Sequence, residues 1–136
     1  MSRRTTIPWV VAGVALVTLG VTLVRTSHGH ATVHPDPRPG ITSVNVLPAA
    51  DVPNSPGARE AYEAARGAPH VLDGLYCHCD CSKHSGHRSL LTCFESEHGS
   101  YCDVCMGEAM LASQMTASGS SLDAIRKAID ARFGRT

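Results

Sequence analysis

The sequence predicts a mainly α-helical protein in three parts: an N-terminal transmembrane helix within residues 1–25, a proline-rich spacer over 26–56, and a small cysteine-rich helical domain over 57–136 with an irregular Cys-x-Cys-x-Cys loop. Three observations carry that division. Residues 7–24 hold no charged side chain, six prolines fall between residues 26 and 56, and all six cysteines lie within the 29 residues from Cys77 to Cys105. With 12 basic and 12 acidic residues among 136, the chain gives no electrostatic reason to expect nucleic acid as a partner. Six aromatic residues leave little bulk for a core, and domains this small usually need disulfides or a metal to supplement apolar burial.

As a helix rising about 1.5 Å per residue, the uncharged run spans roughly the hydrocarbon core of a bilayer. Arg3 and Arg4 precede it, so the positive-inside tendency keeps the N-terminus in the cytoplasm and sends everything after Arg25 outside. The expected product is a single-pass protein with an extracytoplasmic C-terminal domain. The alternative is a signal peptide cleaved at Gly29-His30-Ala31, which would leave the domain secreted or periplasmic. Arg3-Arg4 is poorly embedded for a twin-arginine signal, and no cysteine follows the run to accept a lipid.

Pro35, Pro37, Pro39, Pro48, Pro53 and Pro56 favour an extended, semi-rigid spacer that does not fold alone. Its histidines, His28, His30 and His34, are expected to be solvated in that tether rather than to hold metal. Beyond it, Asn54-Ser55-Pro56 is a helix start, and residues 57–66 form a short helix that Gly67 and Pro69 stop. Val71, Leu72 and Leu75 approach the cysteine run, which Gly74, Asp80, Ser82 and Gly86 mark as extended or looped. Residues 89–94 make one or two helical turns carrying Cys93. Residues 101–113 have Cys102, Cys105, Met106, Ala109, Met110 and Ala112 at three- and four-residue separations, a helix whose two cysteines share a face. The last helix is capped by Ser120 or Ser121 and presents Leu122, Ile125, Ile129 and Phe133 as an apolar stripe, which requires the preceding helix as partner.

The chemistry lies in the cysteines. Sulfurs two residues apart on an extended backbone point to one side, so Cys77, Cys79 and Cys81 converge. Thiolates bind Zn²⁺ and Cu(I) strongly, and a Cys-x-Cys loop with the helical pair Cys102 and Cys105 supplies such a set. Six sulfurs exceed one mononuclear site. They fit a four-cysteine site with one disulfide, or a small Cu(I)-thiolate cluster, to which nearby His78, His84, His87 and His98 add nitrogen ligands, His84 and His87 from a polar loop. The candidate metal ligands are therefore Cys77, Cys79, Cys81, Cys93, Cys102, Cys105, His84 and His87, with a copper or zinc ion as the cofactor. The competing arrangement is a framework of three disulfides, with fifteen possible connectivities. It must bridge Cys77, Cys79 and Cys81 to Cys93, Cys102 and Cys105. The spacings match no common ferredoxin run. His70 and His98 are weaker candidates. Met106, Met110 and Met115 are assigned to the core, and Glu108 to an exposed helix surface.

These residues resemble the bacterial family named for its Pro-Cys-Tyr-Cys-Gly-Cys motif, often described as lipoproteins. The likeness covers about residues 76–133. It rests on the three alternating cysteines, Gly86-His87 before Ser89-Leu90-Leu91, Cys93-Phe94, Cys102-Asp103-Val104-Cys105 before Glu108-Ala109, and the closing helix with Ile125-Arg126. The resemblance implies an exported, surface-tethered domain with a metal-related role and no established activity. This chain departs from the motif at Tyr76, His78 and Asp80 and lacks a lipidation cysteine, while all the thiols remain.

Two functions follow from these residues. The first is a non-enzymatic protein that captures a soft metal ion outside the membrane for delivery, storage or tolerance, with the membrane and a metal-handling membrane protein as partners. The second is a thiol-disulfide redox protein using Cys102 and Cys105, for which the chain lacks the strand-helix-strand pattern of a thioredoxin-like domain. A disulfide-stapled interaction domain is the structural alternative.

Overall fold

The computed structural model describes residues 32–134, and every regular element among them is helical. The transmembrane segment expected within residues 1–25, the cleavage site at 29–31, His28 and His30 lie outside the described residues. Among those described, no helix is long and apolar enough to cross a membrane.

Among the described residues, five α-helices set the frame: α1 (Ala58–Gly67), α2 (Pro69–Asp73), α3 (Cys81–His84), α4 (Asp103–Ala117) and α5 (Leu122–Phe133). Two 3₁₀ turns, Leu90–Phe94 and Glu97–Tyr101, lie on the path between α3 and α4. Helix α1 buries Ala58, Ala61, Tyr62 and Ala65, one face at helical spacing, and lies along α4, whose Cys105, Glu108, Ala109 and Ala112 are buried. The alanines let the two backbones approach closely. Helix α5 behaves as its stripe predicts: Ile125 and Ile129 are fully buried and Leu122 and Phe133 half-buried against α4. Ser121 caps it, its side chain accepting the Ala124 N–H at 3.3 Å.

Helix α1 starts one residue later than expected, after Gly57 in the left-handed region (φ 75°) rather than at Asn54-Ser55. Pro69 does end α1, but it also opens α2, because a residue without an N–H fits the first turn of a helix. Helix α4 begins at Asp103 and continues to Ala117, past the expected 113, since nothing before Gly119 breaks it.

The described part of the expected spacer is corrected by the structure. The compact unit begins at Thr32, not at residue 57. Val46 and Val52 are buried in the core, the Leu47 N–H donates to the Phe94 carbonyl at 2.9 Å, and Arg66 donates to the carbonyls of Ser43 and Val46. Arg38 bonds the fully buried Asp73 carboxylate through its side chain and through its backbone N–H, at 2.7 Å for the latter. Arg88 and Ser89 complete that carboxylate's partners. Burial alone would raise the Asp73 pKa, but the bonds from Arg38 and Ser89 outweigh it and hold the carboxyl below its ordinary range. A proline-rich segment is extended because of its prolines, yet its interspersed Val and Leu residues still find apolar surface.

His34 is likewise not a solvated tether residue. Its ring is nearly buried, Nδ1 accepting the Tyr76 N–H at 3.0 Å and Nε2 facing Asp130 Oδ1 at 3.1 Å. Met110 departs from its assignment too. It is 46% exposed, whereas Met106 and Met115 pack partly against the core.

Candidate metal centre

The alternating cysteines do not converge by extension. Residues 77–80 form a turn, the Asp80 N–H donating to the Cys77 carbonyl at 3.1 Å, and Asp80 sits in the left-handed region (φ 63°) before Cys81 opens α3. The turn brings the Cys77 and Cys79 sulfurs to 3.4 Å. Asp80 is held there by Tyr76, whose phenol donates to its carboxylate at 2.6 Å, and by Lys83.

The remaining donors arrive from three directions. The Leu90 N–H bonds the Leu75 carbonyl at 2.8 Å, which fixes the 3₁₀ turn carrying Cys93 beside the approach to Cys77. Tyr62 positions the next turn: its phenol, pushed up to about 12 by burial, donates to the Ser96 carbonyl at 2.5 Å. That turn carries His98 and Gly99. A Cβ at Gly99 would lie 2.9 Å from the Cys93 carbonyl oxygen, so only glycine lets the two turns lie this close. Cys102 caps α4, and Cys105 follows one turn later on its buried face.

The result is a continuous patch of sulfur and imidazole. The Cys77 and Cys105 sulfurs are 3.3 Å apart, Cys79 and Cys105 3.5 Å, and Cys81 and Cys93 3.7 Å. Four buried sulfurs, from Cys77, Cys81, Cys93 and Cys105, lie within 4.8 Å of one another. An ion bound to four thiolates at about 2.3 Å separates its sulfurs by roughly 3.8 Å, so this group needs little movement to surround one. Three further groups pass the same 4.8 Å limit: Cys81, His87, Cys93 and His98; Cys79, Cys81 and His84; and Cys79, Cys102 and Cys105. All six cysteines are free thiols, which sets aside the three-disulfide framework and the version with one disulfide. All eight expected donors belong to the patch, together with His98, whose Nε2 is 3.3 Å from the Cys81 sulfur. His70 is exposed and in none of the four groups.

Three of the buried thiols, Cys77, Cys93 and Cys105, are poised to stay protonated without an ion. Contact with Cys105, and burial after it, push the Cys77 thiol far above the ordinary value of 9.0. Cys93 and Cys105 are also raised. For Cys93 the contact with Cys105 works downward but Cys77 and burial outweigh it, and for Cys105 the contact with Cys77 is outweighed by Cys93 and burial. Burial, followed by the neighbouring imidazole of His98, lowers His87 and keeps it neutral, the form that ligates.

Glu108 is the largest departure from expectation. Its side chain is fully buried, not exposed, because a residue three positions after the buried Cys105 shares its face. Oε1 accepts from the His78 N–H at 3.0 Å and contacts His78 Nδ1 at 2.7 Å, and Oε2 has no hydrogen-bond partner. His78 Nε2 lies 3.0 Å from Asp130 Oδ1, close enough for ion pairing though not aligned as a hydrogen bond. The hydrogen bond with Glu108 raises the His78 pKa above its ordinary 6.5 against the opposing effect of burial. A group raised on folding adds stability that is complete below the unfolded pKa and is lost as pH rises through the folded one. The metal-free domain should therefore become less stable as pH climbs above about 6.5 and again above about 9, where the raised thiols oppose ionisation. Urea midpoints measured across pH should show the first decline in the native chain and not in His78→Gln.

The comparison with known families is decided over most of the chain: residues 10–136 match the protein of unknown function with PCYCGC motif. The chain belongs to this PCYCGC family. No curated protein and no solved structure matches it. Where the PCYCGC motif has glycine, this chain has Asp80 in the left-handed conformation that glycine adopts without cost. Asp80→Gly is expected to leave stability within about 0.5 kcal/mol, backbone relief offsetting the lost Tyr76 bond. Asp80→Ala, which keeps the strain and loses the bond, should cost roughly 1–2 kcal/mol in urea unfolding.

Proposed function

We propose that this protein binds soft metal ions, Cu(I) first and Zn²⁺ as the alternative, outside the membrane to which residues 7–24 tether it. It captures them for delivery, storage or tolerance rather than catalysing a reaction. The observation that carries this is the convergence of six free thiols and three imidazoles on one patch, four of the sulfurs buried within 4.8 Å of one another. Sulfur donors with neutral imidazole select Cu(I) and Zn²⁺ over hard cations. Cu(I) comes first because thiolate sets of two or three suffice for it, whereas zinc needs four donors in a tetrahedron. The raised Cys105 thiol weighs against its use as a redox nucleophile, and the same proton must leave before the sulfur ligates an ion. Ligation displaces thiol protons, so affinity rises with pH.

The test is anaerobic addition of Cu(I), and separately Zn²⁺, to the reduced chain, followed by alkylation. Binding should protect the six cysteines together with the appearance of thiolate-to-metal absorption, and thiols that stay fully reactive would contradict it. Topology is tested by a thiol reagent that cannot cross membranes. It should label the reduced protein in intact cells, and labelling only after lysis would place the domain inside.

A further inference from the structure

Nine side chains supply the four donor groups, and they do not share evenly. Cys81 appears in three groups, and Cys79, Cys93 and Cys105 in two each. Cys77, besides its one group, lies 3.4 Å from Cys79 and 3.3 Å from Cys105, which are themselves 3.5 Å apart, so it too joins two sets; Cys102 and each of the three histidines appear once. Every residue that belongs to more than one group is a cysteine. The distinction is chemical: a thiolate sulfur has lone pairs enough to join two soft ions, whereas an imidazole nitrogen has one and serves a single ion.

Burial adds a direction. The Cys77, Cys81, Cys93 and Cys105 group is wholly buried, while Cys79 and Cys102 are half-buried and His84 is exposed. Cys79, His84, His98, Tyr101 and Cys102 line an opening of about 330 Å³ at that end. Tyr101, at its rim, is 69% exposed.

We propose, building on the soft-metal function above, that the site holds a thiolate-bridged cluster of at least two Cu(I) ions. Cys77, Cys79, Cys81, Cys93 and Cys105 are the candidate bridges. The ion at the Cys79 and Cys102 mouth enters last and leaves first, and the buried tetrathiolate end retains its ion. The exchanging partner is then a carrier that presents its own thiolate, thioether or imidazole donor at this opening.

The experiment counts copper by native mass spectrometry on the full reduced chain loaded anaerobically with Cu(I), and follows its loss to the Cu(I) chelator bathocuproine disulfonate. The native chain should hold two or more ions and release them in a fast and a slow phase. Cys102→Ser should lose one ion and the fast phase, with no damage to α4, because serine is a better cap than cysteine. Cys79→Ser, equally half-buried, should lose the same mouth ion and the fast phase, while the ion at the buried tetrathiolate end, to which Cys79 does not belong, stays. Saturation of the native chain by a single ion, or loss of the slowly released ion in Cys102→Ser, would overturn the cluster while leaving soft-metal binding intact. No copper bound at all would overturn both.

Discussion

Replacing Cys81 by serine is expected to weaken Cu(I) binding by ~10²-fold or more, the largest loss from any single donor. Changing a residue that merely orients a ligand typically costs 10- to 100-fold in affinity, about 1.4–2.7 kcal/mol, and losing a ligand itself costs more. Cys81 is fully buried and belongs to three of the four donor groups, so no other sulfur can replace it. Burying a hydroxyl there costs the metal-free fold about 1–3 kcal/mol, which urea unfolding of the apo variant measures separately. Met110→Leu is the contrast. That side chain is 46% exposed and outside the four groups, so neither affinity nor stability should change measurably. Native affinity in Cys81→Ser would remove the sulfur patch as the binding site.

A chain beginning at Gly57 should fail to fold, whereas one beginning at Thr32 should retain the whole domain. The deletion exposes the sites of Val46 and Val52, each worth about 1.5–3 kcal/mol of apolar burial. It also strips Arg38 from Asp73. Breaking a fully buried ion pair costs about 3–5 kcal/mol, and this one costs less because Arg38 is 41% exposed and Arg88 and Ser89 still reach the carboxylate. Together these losses are comparable to the total stability of a small domain, about 5–15 kcal/mol. Thermal melts followed by circular dichroism should show no cooperative transition in the shorter chain. A sharp melt there would mean that residues 32–56 are a spacer after all.

That segment shows where sequence reasoning reached its limit. Proline content reports local backbone preference, and the burial of Val46 and Val52 is decided by surface that residues 58 to 133 create only once they have folded. The closing helix was legible from end to end, Leu122–Phe133, because its cap, stripe and partner are encoded in one contiguous run. The thiols were legible as a set, since concentration and spacing are visible in the chain, but the means of their convergence was not. It depends on one left-handed residue, Asp80, at a position where the family motif's glycine was a hint. Glu108 was missed for want of applying the helix period to a polar residue: with Cys105 buried, its neighbour three positions on is buried too. His78, sandwiched between Glu108 and Asp130, could not be found from spacing, because its partners come from α4 and α5.

The most direct measurement is elemental analysis of the protein isolated without added metal from its native compartment, with free thiols counted on the same sample before and after chelation. Soft-metal binding predicts copper or zinc in the protein, thiols protected while the ion is present, and six reactive thiols once it is removed. Protein that carried no metal, showed no free thiol and bound neither Cu(I) nor Zn²⁺ after gentle reduction would contradict it.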